Sequence, residues 1–248
     1  MDIKDTNYRG RKAISVSHDG VECVVPVDMG PRIFYCGLVG HDNLFCEAPV
    51  PEKGDNEATG WRLWGGHRLW HAPEHALRTY EPDERAVAVE HDTAQHSLQW
   101  SGQVEKSTGL RKSMRLTAMG KGTFEVEHRL ENVDCLWPVA CAPWALSVMH
   151  YGGRFFLPLL PKGKHPDDLL PEYKLTPWSY TDFSDPIWHF GKDHIGIDSS
   201  KATTPQKLGI SNFPGWSAYL LPQGTFLKYA KPNANTETPD FGSSFEVF

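Results

Sequence analysis

The clearest signal in the chain is an alternation of apolar and polar positions with a period of two. Residues 123–130 place Phe124, Val126, His128 and Leu130 on one face and Glu125, Glu127 and Arg129 on the other, the signature of a half-buried strand. Residues 111–118 repeat it, with Lys112, Met114, Leu116 and Ala118 against Arg111, Ser113, Arg115 and Thr117. Residues 85–91 do so more weakly around Val87 and Val89. Gly120-Lys121-Gly122 lies between two of these runs and predicts a hairpin turn, because glycine adopts a positive φ with no Cβ clash. Further strands are expected at residues 13–17, 21–27, 33–38, 98–100, 139–148, 195–198, 216–221, 226–230 and 243–248. No window of comparable length carries capped apolar positions at helical spacing.

Strands separated by Gly, Pro, Asn and Asp turns over nearly the whole length predict an all-β fold. The expected form is a large antiparallel β-sandwich in a single domain over residues 1–248, since two small sandwiches would call for a linker near the middle. Residues 161–185 are polar and Pro-rich but hold Tyr173, Trp178, Tyr180 and Phe183. They read as a long ordered loop covering one end of the sheets. Residues 245–248 stop within a strand pattern, so a further strand or two is expected past Phe248.

Composition narrows the function classes. With 248 residues, 40% hydrophobic and 23% charged, the chain can bury a sizeable core, which excludes disorder as its main state. A net charge of −6 argues against nucleic acid and anionic lipid as partners. No apolar run approaches the roughly 18 residues that span a bilayer, and the start lacks a basic segment followed by an apolar one. A cytoplasmic location is expected. Five irregularly spaced cysteines with no C-x-x-C pair predict reduced, buried thiols. What stands out is the aromatic load of 9 Trp, 12 Phe and 8 Tyr.

Three of the nine tryptophans, Trp61, Trp64 and Trp70, gather in residues 60–75 beside His67, His71, His75, Arg62, Arg68 and the pair Gly65-Gly66. Such a mixture suits a cleft. Indoles stack on sugar faces, guanidinium groups grip hydroxyl or carboxylate oxygens, and the glycine pair permits close backbone approach. The alternative is that the indoles pack sheet against sheet and the arginines make surface ion pairs. His67, His71 and His75 lie at i, i+4 and i+8, but Pro73 and the lack of a helical pattern argue against a zinc helix. No metal is expected; hydrogen bonding or proton transfer near neutral pH is the expected role for these histidines.

Two later segments add titratable groups. Residues 188–198 set Asp193 beside His194 at a loop-to-strand entry, and residues 239–248 put Glu246 between Phe245 and Val247. A strand carboxylate with apolar neighbours is either desolvated, which raises its pKa toward a useful base, or simply faces water.

The order of these features resembles the galactose mutarotase-like (aldose 1-epimerase-like) superfamily. The shared pattern runs from Gly30-Pro31-Arg32-Ile33 through Gly65-Gly66-His67-Arg68, Ala142-Pro143-Trp144-Ala145-Leu146 and Gly191-x-Asp193-His194 to Pro239-Asp240 and Glu246. It is most similar to a bacterial branch in which a Gly-Gly-x-Arg-x-Trp segment precedes a Pro-Glu pair, as in Trp70 to Glu74. The resemblance implies a β-supersandwich with an open sugar cleft and a cofactor-free acid/base reaction at an anomeric carbon. It matches Glu246 to the base, Arg68 to the arginine that binds sugar hydroxyls, and Asp193 to the aspartate of the Gly-x-Asp-His motif. Trp144 stands where the family strand carries its acid, and the His-Gly-Gly motif is missing. His67 and His71 are therefore taken as candidate acids, with His150 and His194 as further substitutes. Arg68, Asp193, His194, Trp64, Trp70 and Trp144 are the expected substrate contacts. The partner is expected to be a sugar or sugar derivative. A non-catalytic carbohydrate-binding domain and a polysaccharide lyase-like enzyme stay open as alternatives.

Overall fold

The computed structural model describes residues 1–47, 56–230 and 237–248. The fold is all-β, with every strand pairing among the described residues antiparallel. No helix among these residues is long and apolar enough to cross a membrane. The chain divides into two compact units, Met1–His150 and Tyr151–Phe248.

Among its described residues the first unit holds eleven strands: β1 (Asp2–Tyr8), β2 (Arg11–His18), β3 (Val21–Pro26), β4 (Arg32–Ile33), β5 (Tyr35–Leu38), β6 (Gly66–Ala72), β7 (Ala88–Asp92), β8 (Ser97–Val104), β9 (Leu110–Gly120), β10 (Thr123–Asn132) and β11 (Ala142–Val148). They form three sheets, ordered β1-β2-β3-β5, β10-β9-β8-β7 and β11-β6-β4. Three hairpins share one device. Arg9-Gly10, Asp19-Gly20 and Lys121-Gly122 each close a two-residue loop with both residues at positive φ, the geometry whose twist matches paired strands. The turn expected at residues 120–122 is one of them.

The strand expected over residues 33–38 breaks at Phe34. Arg32 and Ile33 pair with β6, whereas Tyr35–Leu38 pairs with β3, so the chain crosses from one sheet to another there. Residues 85–87 precede β7, because Arg85 is turned onto Asp83 and Glu81 instead of a strand neighbour. β11 likewise starts at Ala142, three residues later than expected. Val16, Val25, Leu98, Trp100, Met114 and Leu116 form much of the buried core.

Gly65 and Gly66 approach the unit's own backbone: their N–H groups donate to Glu47 O (2.7 Å) and Cys46 O (2.9 Å). A Cβ on Gly65 would fall 1.7 Å from Cys46 O. Gly65→Ala is therefore expected to lower stability by about 1–3 kcal/mol, the usual cost of forcing an atom into packed structure. A urea midpoint unchanged from wild type would contradict that contact.

The second unit contains β12 (Arg154–Pro158), β13 (Leu175–Pro177), β14 (Trp188–Phe190), β15 (His194–Asp198), β16 (Leu208–Ile210), β17 (Trp216–Leu221), β18 (Gly224–Tyr229) and β19 (Phe245–Val247). Five make a sheet ordered β14-β15-β12-β17-β18, and three make a second, β13-β16-β19. The stretch 161–185, expected as loop throughout, contributes β13 to that second sheet. The Phe245 ring stacks on Phe213 (4.4 Å) and Phe155 (6.0 Å). Phe245 thus anchors β19 in the interior, and the strand alternation turns Glu246 to the other face.

Candidate acid–base site and arginine–aromatic cage

β6 is the middle strand of its sheet and is buried along its whole length. Its residues alternate between two faces, and the two faces do different things. His67 shares hydrogen bonds with Ser147 Oγ (2.8 Å) and His128 Nε2 (2.7 Å), and its ring stacks on Phe45. His71 donates from Nε2 to the Arg78 carbonyl (3.1 Å) and lies 4.0 Å from Glu105, which pairs with Lys112. Burial, with Lys112 nearby, lowers the His71 pKa and keeps the imidazole neutral. Both histidines face the β7–β10 sheet, which supplies His128 and Lys112.

Arg68 and Trp70 take the opposite face. The Arg68 guanidinium lies 4.3 Å from the Trp70 ring and 5.7 Å from Trp61, and Nη1 donates to Trp64 O (2.8 Å). Trp61, Trp70 and Tyr80 meet edge to face at 5.0–5.4 Å, and Trp144 reaches Trp70 at 5.6 Å. Arg32 sits opposite Arg68 in the β4–β6 register and is 0% exposed. Its Nη1 donates to Trp64 O and Gly65 O (both 2.6 Å), and Nη2 pairs with Asp83. Burial, with Arg32 as neighbour, pulls Arg68 down to about 9, so it remains a cation at neutral pH.

Two expectations change here. His67 and His71 are not placed to act on a ligand held by Arg68, because consecutive strand positions point to opposite faces. Trp61 and Trp70 do not line an open cleft either: they are 2% and 7% exposed and pack the cage. Trp64 and Trp144 are half-buried. Trp64 lies under Arg11 (4.8 Å) and donates from Nε1 to Glu84 (3.2 Å).

In the second unit, Glu246 lies on β19 opposite Gly209 of β16. Its side chain is 11% exposed and its Oε2 is 3.0 Å from Lys207 Nζ. The Lys207 ammonium sits 4.0 Å from the centre of the Trp178 ring, a cation–π contact. Burial pushes the Glu246 carboxyl up to about 7; Lys207 opposes the rise, and a hydrogen bond with the Asp240 carboxyl adds to it. Asp240 and Phe241 both hold positive φ (54° and 58°), an uncommon backbone state for such residues, stored where Asp240 meets Glu246. Gly209 leaves room for this cluster, since a Cβ there would lie 2.3 Å from Ser243 Oγ and 3.4 Å from Trp178.

Asp193 and His194 form a separate pair on the other sheet of this unit. Gly191 N–H donates to His194 O (2.9 Å) to close the β14–β15 hairpin, and His194 shares a hydrogen bond with Asp193 Oδ1 (2.8 Å). That bond holds the Asp193 carboxyl below its ordinary value, and its side chain is 84% exposed. Of the residues expected to act together, the structure brings Asp193 to His194, and Arg68 to Trp64, Trp70 and, through Trp70, Trp144.

Lys207, Trp178 and the Asp240 contact are additions from the structure. Lys207 precedes a three-residue strand and Trp178 follows one, so neither carries a periodic signal.

The chain matches no protein-family model, no curated protein and no solved structure. Its chemistry is therefore read from its own groups. A carboxyl titrating near neutrality beside an ammonium and an indole can take a proton from a weak acid and return one nearby.

Proposed function

We propose that this chain is a carbohydrate-active enzyme of aldose 1-epimerase-like chemistry, with Glu246 as general base. The supporting observation is the Glu246 carboxyl, buried on β19, raised to about 7 and set 3.0 Å from Lys207. A base is most effective when its pKa lies near the working pH. Glu246 takes the proton from the anomeric hydroxyl, and the bond from C1 to the ring oxygen breaks as that oxygen accepts a proton from Lys207. The open chain rotates about C1–C2 and recloses on either face, returning both protons. Lys207 takes the acid role that the sequence assigned to His67 or His71, because those two rings are committed inside the first unit. Trp178 offers an indole to a sugar face.

Saturation-transfer NMR over a panel of neutral, acidic and phosphorylated sugars tests the proposal. Accelerated anomer exchange by the wild type, lost in Glu246→Gln, is the expected result. Exchange at the buffer rate across the panel, with sugar affinity unchanged by Glu246→Gln, would favour a non-catalytic binding domain.

A further inference from the structure

Cys23 on β3 and Cys36 on β5 stand directly opposite each other in an antiparallel pair. The Cys36 N–H donates to Asn43 Oδ1 (3.0 Å) and its carbonyl accepts from the Leu44 N–H (3.0 Å). Both backbone groups therefore turn away from β3, which makes this a non-hydrogen-bonded pair, the position where opposed Cα atoms close to about 4.5 Å. That separation falls within the span of a disulfide, about 4.4–6.8 Å between Cα atoms. Both cysteines are free thiols; Cys23 is buried and Cys36 half-buried.

We propose that Cys23 and Cys36 form a peroxide-sensitive dithiol site, in which Cys36 is oxidised first and Cys23 resolves it to a cross-strand disulfide. The site shares no residue with the proposed sugar chemistry and does not depend on that reading. Two features set the order of events. Cys36 is the more accessible, and the hydrogen bond from the Cys23 thiol lowers the Cys36 pKa while raising that of Cys23. The thiolate is the nucleophile in such reactions.

The oxidant is a hydroperoxide. The Cys36 thiolate attacks one peroxide oxygen, so an S–O bond forms as the O–O bond breaks. The departing oxygen leaves as hydroxide and is protonated, giving Cys36 sulfenic acid and water (or an alcohol from an alkyl hydroperoxide). The Cys23 sulfur then attacks the Cys36 sulfur, the S–S bond forms, the S–O bond breaks, and a second water carries off the Cys23 proton. Two thiols are oxidised and one peroxide is reduced.

Cys135 and Cys141 are poorer candidates. Cys135 donates its thiol hydrogen to Thr108 O (2.8 Å), and burial raises Cys141. Neither pairs with another cysteine in a strand register.

The test treats the intact chain with hydrogen peroxide and maps thiols by alkylation and peptide mass spectrometry. The expected result is loss of two of the five thiols and a peptide joining Cys23 to Cys36, about 2 Da lighter than its reduced parts. Cys23→Ser is expected to accumulate a Cys36 sulfenic acid that dimedone traps, with circular dichroism confirming the fold. Oxidation of Cys36 no faster than of Cys46, Cys135 and Cys141 in the wild type would overturn the proposal. So would over-oxidation of Cys36 with no cross-link.

Discussion

Arg32→Met is expected to lower the unfolding free energy by about 3–5 kcal/mol, the range for removing one partner of a buried ion pair. Arg32 is fully buried and serves three acceptors at once: the carbonyls of Trp64 and Gly65 and the Asp83 carboxylate. Methionine fills similar volume but takes this donor from the Gly65 carbonyl and the Asp83 carboxylate and leaves Arg68 alone on the Trp64 carbonyl, so the loss is electrostatic and not a cavity effect. Arg11→Met is the contrast. Arg11 pairs with Asp28 at 2.9 Å, but both side chains are partly exposed, and such pairs are worth about 0–1 kcal/mol. Urea unfolding of the two variants under one set of conditions measures the difference. Equal midpoints would show that the Arg32 network does not hold the β4–β6 edge.

Glu246→Gln is expected to reduce the rate of the proposed reaction by about 10²–10⁴-fold, the share usually carried by a positioned general base. The same residue sets two pH dependences. Catalysis needs the carboxylate, so kcat/KM should rise with pH through a midpoint near 7, the value to which burial raises Glu246. Stability runs the other way. The carboxyl's ordinary value is 4.5 and its folded value about 7, so the folded state binds the proton more tightly. Its favourable contribution is complete below about 4.5 and is lost as pH rises through about 7. Wild type is therefore expected to lose stability across that window relative to Glu246→Gln. Parallel stability profiles for the two proteins would place the carboxyl in water.

β9 and β10 are legible in the sequence because one face is packed and the other solvated, which writes the alternation directly into residues such as Val126 and Glu127. β6 is not legible: both faces are buried, yet His67, Arg68 and His71 occupy them, so polar residue types stand at interior positions and suggest a cleft. β1 is hidden for the opposite reason. Asp2, Lys4, Asp5, Thr6 and Asn7 give it no apolar face, as suits an edge strand whose charges discourage further pairing. The short strands of the second unit, such as β13 and β16, contain too few residues to display a period.

The candidate site was partly legible on the same terms. Glu246 sits between two apolar residues in a strand pattern, and one of them, Phe245, is drawn into the stack with Phe155 and Phe213. Lys207 was not legible, since its relation to Glu246 arises from the pairing of β16 with β19 across a long sequence separation. The aromatic neighbours of Arg68 in the sequence predict a ligand-binding group. The structure keeps that company but turns much of it inward, where Trp61 and Trp70 pack the guanidinium.

The carboxyl ¹³C resonance of Glu246, followed from pH 3 to pH 9 and assigned by its absence in Glu246→Gln, tests the central claim most directly. A midpoint near 7, shifting upward in Lys207→Met as the nearby cation is removed, is the predicted result. A midpoint near 4.5, unaffected by Lys207→Met, would contradict the account of Glu246 as a base poised for neutral pH.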